Sequence, residues 1–286
     1  MKSLFLLTLF TCQLAIGQVP FRKYKPGEKF RYTLITESFR NNEFDSKTVS
    51  FSKHTVVSKN NHYSEEVEWV GKIVLSKNTK SNLYSAAIKV KPYNISLEKG
   101  AMIRLPKLTV PQMVGEITDL NTFYVAVSPA LHAQRLSAEL PQFTDSLVHG
   151  NFADSIQILL GEDCMQVTQK LLAHTKKTTT IQTTFSPPRD ICIKPVTDTI
   201  ARNIFGANNN FQMIRRSIPG KVNLMWGVEQ FTIVSVLDNS NGQIIQANMQ
   251  NTLRLRLRAN ADSDLKNYVA ELPLTLKRVI YLRLEK

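Results

Sequence analysis

The longest regular pattern in the chain runs from Ile244 to Arg258, and it constrains the fold more than any other feature. Apolar and polar side chains alternate along it. The apolar set is Ile245, Ala247, Met249, Leu253, Leu255 and Leu257, and the polar set ends in Arg254, Arg256 and Arg258. A period of two predicts a β-strand with one dry face and one wet face. At about 3.3 Å per residue this strand reaches roughly 45 Å, so it needs long neighbours, which predicts a large, curved antiparallel sheet.

Other stretches with an alternating pattern, before and after the long strand in sequence, supply those neighbours. Near the N-terminus, turns rich in asparagine separate three predicted strands that form an antiparallel meander: Lys29–Phe39, Ser46–Ser58 and His62–Leu75. In the second of them we expect Val49, Phe51, Thr55 and Val57 to share the apolar face. Shorter strands are predicted over Leu83–Val90, Ile95–Leu105, Thr122–Val127, Thr178–Phe185 and Ile191–Val196.

The C-terminal third predicts the best-defined pairing. Val228–Leu237 pairs with the long strand through the Asn241-Gly242 dipeptide, which favours a hairpin. Two registers bury apolar pairs: one puts Val234 opposite Met249, and the other puts Phe231 opposite Leu253. In the last strand, 274–284, Arg278 interrupts the apolar face, which predicts a bulge near it or a locally two-sided strand.

Helix-forming residues dominate from Ala130 to Lys176. Near the end of this stretch Cys164, Val167 and Leu171 recur at helical spacing. The stretch therefore predicts a helical insert between two β blocks. The predicted fold class is mostly β (α+β): a large curved antiparallel sheet or half-barrel, with a helical insert at about 130–176 that covers one face.

The first 17 residues are typical of a cleaved secretory signal: a positive Lys2, an apolar run, and small residues at Ala15 and Gly17. The alternatives are an uncleaved anchor, for which the run is short, and lipid attachment at Cys12, which the preceding Phe10 disfavours. We expect 18–286 to be one β-rich domain without a transmembrane segment. It would be exported to the periplasm or cell envelope, or secreted.

The chain is basic, with 36 Lys and Arg against 23 Asp and Glu, a net charge of +13. On an exported protein this excess suits an anionic envelope component such as an acidic glycan or a lipid head group. The alternative is that the charge only maintains solubility. No compact block of basic residues occurs, so we expect no nucleic-acid partner.

Two cysteines remain after the signal, Cys164 and Cys192. In an oxidising compartment an isolated pair predicts a disulfide, which would link the helical insert to the following strand. Two buried free thiols are the alternative. A zinc site is not expected, because no histidine pattern accompanies the pair.

The search for catalytic motifs is negative. The sequence has no glycine-rich phosphate loop, no G-x-S-x-G and no H-E-x-x-H. Its five histidines are scattered and are interpreted as structural or exposed. The acidic cluster at Glu65, Glu66 and Glu68 is interpreted as a solvated strand face rather than a catalytic carboxylate pair. We therefore expect a protein that is not an enzyme and uses no cofactor or metal.

Two groups of residues are candidate binding sites. The proline-bounded loop around 105–114 is apolar for a connection, and Leu105, Leu108, Val110 and Met113 are candidate ligand-facing residues, unless they pack against the core. The arginines at 254, 256 and 258 lie about 7 Å apart on one strand face and could bind anionic groups. Cross-strand carboxylates would instead make them structural.

A signal that ends in Gly-Gln, followed by K-P-G-E-K-F-R-Y and a long strand, resembles secreted β-rich bacterial envelope proteins without known activity. The resemblance implies no functional residue. A curved sheet with a helical cover also resembles periplasmic lipoprotein and lipid carriers. The long one-sided strand, the apolar loop Leu105–Val114 and the missing catalytic motifs lead to the first hypothesis: an exported protein that binds an apolar or amphipathic ligand, such as a lipid, between sheet and cover. The second is a structural or interaction protein that docks an anionic envelope partner through its basic strand faces.

Overall fold

The computed structural model describes residues 20–77, 79–101, 103, 106, 108–128, 139–140, 151–153, 156–159, 166–187, 210–262 and 266–285. Within these ranges the strands are β1 Lys29–Arg40, β2 Glu43–Lys59, β3 His62–Ser76, β4 Lys80–Asn82, β5 Tyr93–Ile95, β6 Glu139–Leu140, β7 Asn151–Ala153, β8 Ile156–Leu159, β9 Gln166–His174, β10 Thr178–Ser186, β11 Phe211–Arg216, β12 Val222–Asp238, β13 Ile244–Ala261 and β14 Ala270–Glu285. The described helices are α1 Tyr84–Ala87 and α2 Val114–Ala126, the latter preceded by a 3-10 turn at Pro111–Met113.

All of these strands join one antiparallel sheet, which confirms the predicted mostly-β fold. Its main path is β4-β3-β2-β1-β14-β13-β12-β10-β9-β6. The N-terminal meander and the C-terminal hairpins meet where β1 pairs with β14, from Arg31 opposite Glu285 to Arg40 opposite Leu276. The sheet is open: in the part of the chain that the structure describes, its path ends at β4 on one side and at β6 on the other.

The long strand is present as β13, with Ala247, Met249, Leu253 and Leu255 buried on one face. Its register with β12 is neither of the two predicted. Ile233 lies opposite Met249, and Val234 lies opposite Asn248. The reason is a longer turn with a register shift after Val236, whereas both predicted registers assumed alternation without a bulge.

A helix covers one face of the sheet, but the predicted location of this cover is wrong. The described parts of the stretch 130–176 are strands, and β9 pairs with β10 over most of its length. The cover is α2, whose second half coincides with the predicted strand Thr122–Val127. That segment is rich in aromatic and β-branched residues because α2 is buried on nearly every side, so no amphipathic period marks it as a helix. The predicted strand Leu83–Val90 is also wrong, since α1 occupies it.

The main core lies between α2 and the face of the sheet that carries Leu34, Met249 and Ile280, which we call the inner face. Met113, Ile117, Leu120, Phe123 and Tyr124 bring fully buried side chains down onto this face. A smaller cluster of Leu253, Leu255 and Leu274 lies further along the same face. Burial of the apolar side of each strand therefore holds the helix on the sheet.

The predicted core face of β2 is wrong. Its buried residues are Ser50, Ser52, His54 and Val56, whereas the alternate set with Val49 and Phe51 lies on the outer face and is partly exposed. A register shift between Phe51 and Ser52 also reverses the inward–outward alternation of side chains in β3, so that Lys72 points inward. Alternation of hydrophobicity fails here because the inner face of these strands carries hydrogen-bonded polar side chains.

β14 resolves the alternatives at Arg278. Its described pairings with β1 and β13 continue without a register shift, so no bulge lies there. Arg278 keeps inner-face parity with Leu276 and Ile280, and its guanidinium donates to the Asp119 carboxylate of α2. The interruption of the apolar pattern is thus an ion pair between sheet and helix.

Several predictions fall outside the described residues: the signal at 1–17, the strand Ile191–Val196, and both members of the Cys164–Cys192 pair. Neither described helix is long and apolar enough to cross a membrane.

Candidate functional site

The three arginines of β13 project from its outer face, opposite to the buried leucines. Arg254 and Arg256 are exposed, and Arg258 is partly buried. In the pairing with β14, Arg254 lies opposite Thr275 and Arg258 lies opposite Glu271. The ladder predicted from the sequence is therefore assembled on one strand, between two paired neighbours.

One carboxylate serves two members of this ladder. Arg256 donates to Glu271 Oε1 at 2.6 Å, and Arg258 Nε donates to Glu271 Oε2 at 2.8 Å. The hydrogen bond from Arg258 is the main cause that lowers the pKa of Glu271, so the carboxylate stays ionised. Among the described residues no carboxylate lies within ion-pair distance of Arg254. The ladder therefore combines one carboxylate shared by Arg256 and Arg258 with an exposed Arg254 that no described carboxylate pairs.

Aromatic rings hold the last arginine of the ladder. The Arg258 guanidinium lies 5.3 Å from the centre of the Trp226 ring and 4.5 Å from that of Tyr268. Trp226 is buried, whereas Tyr268 is exposed. Such contacts contribute about 0.5–1 kcal/mol at exposed sites and favour one orientation of the guanidinium.

The candidate ligand-facing residues lie elsewhere, around the start of α2. Val110 and Met113 are buried members of the main core, and Leu108 packs against it. Leu105 lies outside the described residues. The three described candidates thus pack in the core between sheet and helix.

A second polar cluster is buried at the end of the sheet where the N-terminal arm, 20–28, crosses it. Arg22 of this arm donates through Nε to Glu65 Oε1 at 3.0 Å and through a terminal nitrogen to Glu28 at 3.1 Å. The other Glu65 oxygen accepts hydrogen bonds from His54 Nδ1 at 3.2 Å and from the Tyr124 hydroxyl. The cluster therefore ties the arm, two strands and α2 to one carboxylate.

Its central residues have the order of a catalytic relay. The Ser52 hydroxyl lies 3.0 Å from His54 Nε2, and His54 in turn binds Glu65. A working nucleophile must also meet substrate, but Ser52, His54 and Glu65 are all buried. Burial also raises the pKa of Tyr124 well above its usual value, with a further contribution from the nearby Glu65 carboxylate. The arrangement suits a structural role: it satisfies buried polar groups beneath the arm.

Further ion pairs attach α2 to the sheet. Lys72 lies 2.7 Å from Glu116 and also donates to the Gln112 carbonyl at 2.6 Å. The Arg278–Asp119 pair lies further along the helix. Among the described side chains no group of three or more His, Cys, Asp or Glu residues could hold a metal ion.

Sequence reasoning missed the Arg22–Glu65 cluster, although one signal was present. Glu65 has the same parity in β3 as Val67 and Trp69, which are core residues, so it was a carboxylate at a dry position. Glu66 and Glu68 do lie on the opposite, partly exposed face, and Glu68 pairs with Lys53 there. A charge at a position that should be buried was the available indication of an ion pair.

Comparisons with known proteins identify no family and no similar fold for the chain. No family model matches the chain, and no curated protein matches it. Among solved structures, the comparison gives OmpT, an outer membrane protein of Vibrio cholerae in its in-vitro folded trimer form. It is 10% identical, over 91% of this chain and 100% of that chain, with a TM-score of 0.16. A similarity this low carries no argument about fold or function.

Proposed function

We propose that this protein is an exported interaction protein that docks an anionic partner through the arginine ladder of β13. The observation that carries the proposal is the exposure of the first two arginines of the ladder. Arg254 and Arg256 project from one strand face, and among the described residues no carboxylate lies within ion-pair distance of Arg254.

The ladder is also preorganised. β13 is paired along its length with β12 on one side and β14 on the other, so the arginine backbones are fixed at intervals of about 7 Å. Guanidinium groups bind phosphate, sulfate and carboxylate oxygens through paired N–H donors. A partner that repeats such groups could bind successive arginines without reordering the strand. The net charge of +13 favours the same class of partner by long-range attraction.

This proposal fits the geometry better than ligand binding between sheet and cover. Val110 and Met113 would have to line such a ligand, and both already pack into the core with α2. The ladder needs no rearrangement to reach a partner, since Arg254 and Arg256 are exposed.

The test is charge reversal at Arg254 and Arg256, measured as affinity for heparin, a soluble sulfated polyanion. We expect the Kd at low salt to rise about tenfold, because each exposed ion contact contributes up to about 1 kcal/mol, and we expect the difference to shrink at high salt. The matched control reverses Lys29 and Arg31, which are exposed on β1. Equal losses in the two double variants, or no loss in either, would refute a role for the ladder.

A further inference from the structure

The ladder is one end of a longer strip of side chains on the outer face of the sheet. We define the outer strip as the outward-facing residues of β13 at 246–256 and of β14 at 273–283, which lie opposite one another in the pairing of the two strands. At about 3.3 Å per residue it runs for roughly 33 Å. The strip lies within the sheet and not at its edge, because β13 also pairs with β12 and β14 also pairs with β1.

The outer strip carries exposed cations and no carboxylate. The cations are Arg254, Arg256, Lys277 and Arg283. The first three lie within about 13 Å of one another along the strands, and Arg283 lies at the other end of the strip. Among the described residues Glu271 pairs with Arg256, and no carboxylate lies within ion-pair distance of the other three cations. The charge of the strip therefore suits an anionic partner.

Carboxylates border the outer strip, and each has a partner of its own. Glu271 at one end is shared by two arginines of the ladder. At the other end Glu285 accepts a hydrogen bond from the Thr33 hydroxyl. Beside the middle of the strip, Glu37 of β1 pairs with Lys47 at 2.8 Å. The described carboxylates thus lie at the margins, and the strip between them presents positive charge alone.

Neutral hydrogen-bonding groups and one aromatic ring lie between the cations. Gln246, Gln250 and Tyr281 are exposed, Tyr281 by 41%. None of these three side chains has a hydrogen-bond partner in the part of the chain that the structure describes. An amide both donates and accepts hydrogen bonds, and an exposed tyrosine offers a flat apolar face beside a hydroxyl. This combination matches a sugar ring, which has C–H groups on its faces and hydroxyls at its edges.

From this arrangement we infer that the outer strip binds a linear acidic glycan that lies along β13 and β14. The inference rests on the proposed function and names the class of its partner. Sulfate or carboxylate groups of the glycan bind the cations. Its hydroxyls bind the amides of Gln246 and Gln250, and one sugar ring stacks on Tyr281.

Two other classes of anionic chain fit the outer strip less well. An extended acidic peptide binds a sheet through backbone hydrogen bonds at a free edge, and β13 and β14 are paired on both sides. Single-stranded nucleic acid stacks successive bases on several aromatic side chains, and Tyr281 is the one aromatic residue of the strip. A glycan needs neither a free edge nor a row of aromatic rings.

The experiment is calorimetric titration of the full chain at about 0.15 M salt with heparin and, in parallel, with polyphosphate, a polyanion without sugar rings. Tyr281→Ala should weaken heparin binding about fivefold and leave polyphosphate binding unchanged, since polyphosphate has no ring to stack. Arg283→Gln should weaken heparin binding about threefold, because heparin reaches the far end of the strip. The matched control is Tyr84→Ala, since Tyr84 is 54% exposed but lies on α1.

Thermal unfolding of each variant separates loss of binding from loss of folding. If charge reversal at Arg254 and Arg256 weakens heparin binding but Tyr281→Ala and Arg283→Gln do not, the partner contacts the ladder alone: the glycan inference fails and the docking function stands. Equal losses of heparin and polyphosphate binding in Tyr281→Ala, or equal losses of heparin binding in Tyr84→Ala and Tyr281→Ala, would also overturn the inference. If neither polyanion binds, both proposals fail.

Discussion

Replacing Glu65 by Gln removes the charge on which the buried cluster beneath the N-terminal arm depends. Glu65 accepts from Arg22 on one oxygen and from His54 and Tyr124 on the other. Both Glu65 and Arg22 are almost fully buried, so the loss of the carboxylate leaves a buried guanidinium with Glu28 as its remaining charged partner, beside the Lys23 carbonyl to which it also donates. Breaking a buried ion pair costs about 3–5 kcal/mol. We expect about 3 kcal/mol here, because Gln keeps one oxygen acceptor and Glu28 retains its contact.

The same substitution has a defined pH dependence. Burial alone would raise the pKa of Glu65, but the hydrogen bond and charge of His54, the charge of Arg22 and the hydrogen bond from Tyr124 outweigh it and lower the pKa below its usual 4.5. A carboxyl whose pKa is lower in the folded than in the unfolded state contributes stability above the unfolded value, and this is lost as pH falls through the folded value. The deficit of Glu65→Gln should therefore be full at pH 7 and shrink below about pH 4.

Urea unfolding from pH 7 to pH 3, followed by far-UV circular dichroism, measures this difference. Glu66→Gln is the matched control, because Glu66 is the next residue of β3 but lies on the outer face, and we expect it to change the free energy of unfolding by less than about 0.5 kcal/mol. Equal stability of the two variants at pH 7 would refute the account of the cluster. A deficit that stays constant down to pH 3 would refute the assignment to the carboxylate charge.

Two further substitutions test the packing of the inner face and of the arm. The Thr36 hydroxyl is buried without a hydrogen-bond partner among the described residues, whereas that of Thr183 donates to a carbonyl of α2 at 2.9 Å. In denaturant titrations Thr36→Val should therefore be neutral or stabilising, and Thr183→Val should cost about 1–2 kcal/mol; the reverse order would contradict the hydrogen-bond assignment. Gly242 has a φ of +69° and an added Cβ would lie 2.4 Å from the backbone of the arm, whereas Gly100, at φ +85°, has nothing within 4 Å. Gly100→Ala should lower the free energy of unfolding by about 1 kcal/mol, the backbone strain alone. Gly242→Ala should lower it clearly more and should speed tryptic cleavage of the arm. Equal losses of stability in the two variants would show that the arm does not pack against Gly242.

The alternation along β13 was sufficient to predict the sheet and the leucine face, because a period of two over many residues has one simple structural meaning. The exposed arginines of the ladder followed from the same pattern. Their partner Glu271 did not, since it depends on the register between β13 and β14, and a shift of one residue would have placed a different side chain opposite Arg258.

The prediction of α2 as a strand failed for a physical reason. A helix buried on nearly all sides needs no polar face, and aromatic and β-branched residues fill its surroundings well. The strand propensity of these residues then favours a β-strand, whereas packing of the segment against the sheet stabilises a helix. Conversely, β9 contains good helix formers, and its pairing with β10 overrides their preference.

The buried charges were visible in the sequence as interruptions of an apolar strand face, but the residues that pair with them were not. Arg278 interrupts an apolar strand face, and its partner Asp119 is 159 residues away. Glu65 occupies a dry position, and it is joined by Arg22 from an arm 43 residues earlier. Parity along one strand reports which side chain is buried, whereas the identity of the partner depends on how distant segments pack.

The attachment of the N-terminal arm to the sheet bears on docking. At one end the arm is fastened on both sides: the Lys23 N–H donates to the Asn241 carbonyl at 2.7 Å, and the Gly27 N–H donates to the Val56 carbonyl at 2.9 Å. These bonds join the hairpin of β12 and β13 to that of β2 and β3, across the intervening pair β1 and β14. The hairpin that carries the ladder is thereby held at its turn, and β13 is paired on both sides along its length. An anionic partner of the ladder then need not supply the free energy to order this strand, so a small number of charged contacts can suffice for binding.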